Sequence, residues 1–359
     1  MSARIKVLVV DDSAIVRKLL SDTLSAEPDI EVVGVAPDPY VARDKILRLN
    51  PDVVTLDVEM PRMDGLTFLK KLMQFRPMPV IIISSLGQAS SRTALEALQL
   101  GAVDVLAKPG GPYSVGDLKN DLPQKVRAAA RARIAPAKPP APSPVKTAAA
   151  VSPRQPYPTA SFRPASRSDN IILIGASTGG TEAIREILCA LPENSPPIVI
   201  VQHIPAVFSR AFADRLDQIC RIRVREAAHD DAVAHGLALV APGNHHLLLK
   251  RGADGLRVAL DDGPRVCYQR PSVDVLFESA VAYAGPNFSV ALLTGMGSDG
   301  AQGMLKLKNA GALTIAQDEA SCVVFGMPRE AIRMGGVDRV LPLNRIAAAL
   351  VAQAVPAPV

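Results

Sequence analysis

The chain has 359 residues, 48% hydrophobic and only 4% aromatic, with no Trp and a formal charge of +5. That length suits about two or three domains, and the aliphatic composition suits α/β cores. No apolar run approaches the roughly 20 residues of a membrane span. The run at 5–10 is cut short by Asp11 and Asp12, which leaves it too short for a signal-peptide core. Nor does the positive charge indicate nucleic acid. Residues 125–170 hold nine basic residues and one acidic, a net of +8; subtracting that from the total leaves −3 for the remainder. The basic character therefore belongs to a linker, not to a folded surface. Cys189, Cys220, Cys267 and Cys322 show no metal or redox spacing and read as reduced thiols of a cytoplasmic protein.

Over residues 1–124 strand-like runs recur at 5–10, 31–36, 53–56, 80–83 and 103–107. Helical patterns separate them at about 14–26, 40–49, 65–76, 91–100 and 118–132. Five βα units predict a doubly wound parallel sheet. In such sheets chemistry collects at the carboxyl ends of the strands. Asp11 and Asp12 follow the first strand, Asp57 the third, Ser84 ends the fourth, and Lys108-Pro109 follows the fifth. Three converging carboxylates repel one another and so call for a cation; oxygen-only ligands suit Mg²⁺. Lys108 supplies a point charge for a phosphoryl group and Ser84 a hydrogen bond. Asp57 at the centre reads as a carboxylate nucleophile that accepts it.

Asp11-Asp12, the stretch Thr55–Gly65, Ser84 and Lys108-Pro109 resemble a two-component receiver domain over this whole segment. The resemblance implies phosphorylation at Asp57 by a histidine kinase. It also implies Mg²⁺ held by Asp12, Asp57 and the carbonyl of Glu59, with Asp11 assisting. One departure stands out. Receivers usually carry an aromatic switch residue three positions before the lysine, where this chain has Val105. The signal is therefore expected to leave by another face.

Residues 125–168 comprise a helix end and a linker, and 134–168 alone carry nine of the 31 prolines. Such a stretch cannot bury apolar area and is expected to tether two folded domains.

The second domain, 169–359, opens on Ile171–Gly180, I-I-L-I-G-A-S-T-G-G. Four apolar residues fit a strand buried on both faces, ended by Gly175; helical periodicity follows from Thr181 to Leu191. Ser177 is thereby set at a strand end and a helix start, in a G-x-S-x-G pattern. Residues 198–201 form the next strand and lead into Gln202-His203, with a helix at 208–220. Runs at 237–241, 246–250 and 256–260 alternate and read as antiparallel hairpins. A helix is expected from Pro271 to about 284, then a strand at 289–293 leading into Thr294–Gly300, and a strand at 312–316. Ser177, His203 and Asp299 thus lie at three strand ends, with the chemistry of a nucleophile, a base and an orienting acid. The amides of Thr178 and Met296 are candidate oxyanion donors. His245 and His246 are adjacent in a strand and make poor joint metal ligands.

Gly175–Ala183, Gln202–Pro205, Arg270–Phe277, Leu293–Gly300 and Ala316–Pro328 resemble the catalytic domain of the CheB family, the chemotaxis protein-glutamate methylesterases. With the receiver in front, the resemblance runs nearly end to end. It implies a Ser177–His203–Asp299 triad and no cofactor in this domain. The implied substrates are methylated glutamates, and certain glutamines, on chemoreceptors. A cytoplasmic monomer that neither enters the membrane nor binds nucleic acid is expected. Three alternatives stand beside it. A generic α/β-hydrolase would order its triad Ser177, Asp231, His246, but no HGGG-type loop is present. A dinucleotide site would need G-x-G-x-x-G, which Gly175, Gly179 and Gly180 do not supply. A receiver on a non-enzymatic binding module would keep Asp57 chemistry without hydrolysis.

Overall fold

The computed structural model describes residues 4–85, 87–110, 114–134 and 170–352. The linker, but for Ile134, lies outside the described residues. In the first domain β1 (Ile5–Val10), β2 (Ile30–Ala36), β3 (Val53–Asp57), β4 (Val80–Ser84) and β5 (Asp104–Ala107) form one sheet in the order β2-β1-β3-β4-β5. Every pairing is parallel. The interior strands β3 and β4, and β5 beside them, are buried at every residue, as a sheet covered on both faces requires. The covering helices are α1 (Ala14–Ser25), α2 (Pro39–Leu49), α3 (Gly65–Phe75), α4 (Gln88–Gln99) and α5 (Val115–Ala130). Four of them start at side-chain caps, Ser13, Asp38, Asp64 and Ser114, which accept from first-turn amides. The capped start of α1 falls right after the strand-end acids Asp11 and Asp12.

In the second domain seven strands form a wholly parallel sheet in the order β14-β13-β12-β6-β7-β9-β8. They are β6 (Ile171–Ala176), β7 (Ile198–Gln202), β8 (Arg223–Glu226), β9 (Leu237–Val240), β12 (Phe288–Leu292), β13 (Leu313–Gln317) and β14 (Arg339–Leu341). The strand expected to end at Gly175 runs on to Ala176. Gly175 is needed there: a Cβ would lie 2.3 Å from Val273 Cγ1, so glycine lets the next layer pass close. Successive residues of β6 serve opposite faces. Ile172 and Ile174 join a core that continues into the first domain, whereas Ile171 and Leu173 join a second core on the other side.

The antiparallel expectation holds for part of its span. His246–Gly252 (β10) and Gly255–Asp261 (β11) form a hairpin closed at Gly252 and Gly255. Residues 237–240 are instead β9 of the parallel sheet, paired to both β7 and β8. The reason is burial: all four residues of β9 are buried, so both faces are covered and the alternation carried no weight. The helices are α6 (Gly180–Ala190), α7 (Ala206–Ile219), α8 (Val273–Ala280), α9 (Ala301–Asn309), α10 (Met327–Arg333) and α11 (Leu343–Ala352). Strand order reverses at β6: the chain builds outward through β7 on one side, then returns to β12 on the other. That switch point opens a crevice at the carboxyl ends of β6, β7 and β12.

Candidate active site and phosphorylation site

Ser177 follows β6, His203 follows β7, and Asp299 lies in the turn between β12 and α9. All three are buried. His203 Nε2 donates to Asp299 Oδ2 at 2.8 Å, while Nδ1 is buried without a hydrogen-bond partner. Ser177 and His203 line one cleft of about 550 Å³. With Nε2 carrying the proton toward the carboxylate, Nδ1 is the lone pair left to accept one.

Asp299 is held from four sides. Its Oδ2 also accepts from Val273 N at 2.7 Å, and its Oδ1 accepts from Ser272 Oγ at 2.7 Å and Asp274 N at 3.0 Å. The start of α8 thus presents its free amides to the carboxylate. Burial pushes the Asp299 pKa up, but His203 and the donors at Ser272 and Asp274 outweigh it, so it lies below the usual range. Asp274, next to it, goes the other way. Burial and the neighbouring Asp299 charge, against the Gly303 amide, push its pKa up to about 6.

Four positioning groups escaped the sequence reading. Ser272 caps α8 and holds Asp299. His246, set aside as a metal ligand, is buried and accepts from Ser272 N on Nδ1 at 3.2 Å, with Nε2 donating to Pro264 O at 2.9 Å. Gln202 Nε2 donates to Ser177 O at 2.9 Å and His203 O at 3.3 Å, and so joins nucleophile and base through the backbone. Ser272 was legible as a cap in Pro-Ser-Val-Asp; the bonds of His246 and Gln202 needed the fold. The fourth is Asp104 of β5, described below. The ordering Ser177, Asp231, His246 is excluded by geometry: Asp231 pairs with Arg225 and accepts from Ala228 N, and neither ring nitrogen of His246 meets it.

Thr178 and Met296 both border the cleft, and among the described residues neither backbone amide donates to a protein acceptor. The Thr178 side chain has a partner in the other domain. Its Oγ1 donates to Asp104 Oδ2 at 2.6 Å, while Lys125 of α5 pairs with Asp104 Oδ1 at 2.6 Å. Asp104 adjoins Val105, which is buried where the aromatic residue was missing. Asp117 and Lys125 of α5 line the cleft opposite Arg265 and Tyr268, and Asp117 pairs with Arg265 at 2.8 Å.

In the first domain Asp11, Asp12 and Asp57 place carboxylate oxygens within 4.8 Å of one another. Lys108 Nζ bridges Asp57 Oδ2 at 2.8 Å and Asp11 Oδ2 at 2.9 Å. Burial, with the Asp11 charge adding and Lys108 opposing, pushes Asp57 up to about 6. Lys108 moves upward too: burial opposes its charge, but the two carboxylates prevail. One ammonium against three acids leaves negative charge uncompensated, and the donors are all oxygen, so the residues fit a divalent cation of the Mg²⁺ kind. The Glu59 carboxylate is turned away, accepting from Ser85 Oγ at 2.7 Å and Ser90 Oγ at 2.5 Å. Ser84 Oγ donates to Ser90 O at 3.3 Å.

The response regulator receiver domain model matches residues 7–117, and the CheB methylesterase model matches 172–350. The protein-glutamate methylesterase/protein-glutamine glutaminase 2 of Syntrophus aciditrophicus (strain SB) is 54% identical over 346 residues, 96% of this chain and 98% of that protein. The enzyme of the same name numbered 1 in Geobacter metallireducens is 54% identical over 348 residues, 95% of this chain and 94% of that protein. Among solved structures, the Thermotoga maritima CheB methylesterase catalytic domain is 39% identical, with a TM-score of 0.50, covering 51% of this chain and 98% of that one. Strand-end acids before a serine–histidine–aspartate crevice, and relatives alike over nearly their whole length, lead to one conclusion: the chain belongs to the CheB methylesterase family, with a response regulator receiver domain in front of the catalytic domain.

Proposed function

We propose that this chain is a phosphorylation-controlled serine hydrolase acting on glutamate γ-methyl esters and glutamine γ-amides of chemoreceptors. The observation that carries the reading is the buried His203, whose Nε2 is committed to Asp299 and whose Nδ1 has no hydrogen-bond partner, in the cleft that Ser177 also lines. Ser177 Oγ attacks the γ-carbonyl as His203 Nδ1 takes its proton. The Asp299 carboxylate, ionised in its nest of donors, stabilises the imidazolium. The oxyanion is received by the amides of Thr178 and Met296. His203 returns the proton to departing methanol, or to ammonia from the amide. Water, deprotonated by His203, then hydrolyses the glutamyl-serine ester and releases glutamate and Ser177.

In the receiver Asp57 is the phosphoryl acceptor from a histidine kinase, with Lys108 and Ser84 placed to bind the phosphoryl oxygens. Asp12, Asp57 and the Glu59 carbonyl, with Asp11, would hold Mg²⁺, which when bound neutralises charge on the phosphoryl group. The α5 residues lining the cleft support a docked form in which the receiver limits access, and phosphorylation shifts the population toward an open form. The reading includes a cytoplasmic monomer; no helix among the described residues is long and apolar enough to cross a membrane.

The test is methanol release from a methylated chemoreceptor cytoplasmic fragment, with and without a small-molecule phosphodonor and Mg²⁺. Release stimulated by the phosphodonor and abolished in Ser177→Ala is expected. No release under any condition, with Asp57 still phosphorylated, overturns the esterase assignment for this substrate.

A further inference from the structure

Away from the cleft, two thiols face each other. Cys189 lies in the last turn of α6 and Cys220 directly follows α7, and their Sγ atoms are 3.6 Å apart. A disulfide needs about 2.05 Å between sulfurs, so the gap to close is about 1.5 Å. The two positions differ in access. Cys189 is half-buried, whereas Cys220 is 3% exposed among Leu216, Ile222 and the rest of the core on that face. Burial, with the neighbouring Cys189 adding, pushes the Cys220 thiol up, and the Arg185 charge one turn before Cys189 on α6 only partly opposes it, so Cys189 is the thiol that reacts first.

We propose that Cys189 and Cys220 are a redox-active dithiol that closes to a disulfide, tying the carboxyl ends of α6 and α7 together. The oxidant is a low-molecular-weight disulfide. Cys189, the accessible thiol, loses its proton and attacks one sulfur of that disulfide. This forms a mixed disulfide and releases one small thiolate. Cys220 then loses its proton and attacks Cys189 Sγ, breaking the mixed bond and releasing the second small thiolate. Two protein thiols are oxidised, one small disulfide is reduced to two thiols, and the protons released equal those the thiolates take up.

The position gives the bond a defined consequence. The first turn of α6 follows Ser177 and that of α7 follows His203, so the staple joins the far ends of the helices that seat nucleophile and base. The 11 residues of α6 put it about 16 Å from the cleft. Oxidation therefore stabilises the seat without entering the site.

The full-length protein is equilibrated in oxidised and reduced glutathione buffers, quenched by alkylation and digested with trypsin. The peptides 186–210 and 216–221 are expected to appear joined, 2 Da lighter than their sum. The unfolding midpoint is expected to rise by roughly 5–10 °C on oxidation and to return on reduction. Cys189→Ser, at a half-buried site, should fold and lose both the joined peptide and the shift. A stable mixed disulfide on Cys189 without closure, or both thiols free in fully oxidising buffer, overturns the proposal.

Discussion

The bond between Asp104 of the receiver and Thr178 beside the nucleophile gives the proposed docking a magnitude. It is buried, short at 2.6 Å, and made by a hydroxyl to a carboxylate that Lys125 also holds. A hydrogen bond to a charged group contributes about 1.5–3 kcal/mol. At 1.4 kcal/mol per tenfold, Asp104→Ala should weaken docking roughly 10- to 150-fold. Basal methanol release without phosphodonor rises accordingly, up to the rate of the open form. Stimulation by phosphodonor shrinks by the same factor, because that ceiling is unchanged. Thr178→Val removes the same bond from the other side while keeping the Thr178 amide. The double variant closes a thermodynamic cycle, and the second substitution should add little once the first is made. A basal rate that stays at the wild-type level in Asp104→Ala, with Asp57 still phosphorylated and thermal stability retained, would refute the reasoning. So would full additivity of the two substitutions, since then neither acts through the other.

Two further outcomes bear on the Asp299 nest. His246→Asn keeps an acceptor near Nδ1 for Ser272 N, whereas His246→Gln keeps only a group near Nε2. The Asn variant should retain most of kcat, and the Gln variant should lose about 10-fold and shift the acid limb of the pH–rate profile; equal profiles for the two would remove His246 from the positioning chain. Asp274 has a folded pKa raised from 3.8 to about 6, so its contribution to stability is complete below about pH 4 and is lost as pH rises through about 6. Urea unfolding from pH 4 to 7 should therefore show a falling component, about 1–3 kcal/mol in all, that is missing in Asp274→Asn; parallel curves would count against it.

Parallel sheets made much of this legible. Buried strands print as unbroken apolar runs, and whatever reactive residue follows one must stand on the crevice side. That logic placed Asp57, Lys108, Ser177 and His203. It failed where local pattern and tertiary burial disagreed: 237–240, read as an alternating hairpin strand, is buried at every residue and covered on both faces. The first turn of α4 was missed because Gln88–Ser90 carries no apolar residue but Ala89. Nothing local marks a bond such as Thr178 to Asp104, which spans 74 residues, or Ser272 to His246, which spans 26. Those depend on how two sheets pack, which periodicity does not encode.

Val105 removes the usual aromatic route out of the phosphorylation site, yet a shorter one is built into α4. On the proposed reading Ser84 turns to a phosphoryl oxygen when Asp57 is modified; here its hydroxyl is spent on Ser90 O. The next residue, Ser91, is buried with its hydroxyl 3.1 Å from Val207 O in the first turn of α7, four residues past His203. Drawing Ser84 away would free the Ser90 carbonyl and so loosen the turn that carries this further interdomain contact. One neutral hydrogen bond contributes about 0.5–1.5 kcal/mol, so Ser91→Ala should raise basal release about 2- to 12-fold and cut the stimulation equally. The Gly87 carbonyl, 3.0 Å from the same hydroxyl, belongs to the receiver, so its loss alone costs helix stability and not docking. Basal rate separates the two, and combining Ser91→Ala with Asp104→Ala asks more. The two contacts lie on different elements, and if each only holds the docked form their effects multiply up to the open-form ceiling. A Ser91→Ala enzyme with wild-type basal rate and wild-type stimulation would mean that α4 carries no part of the signal.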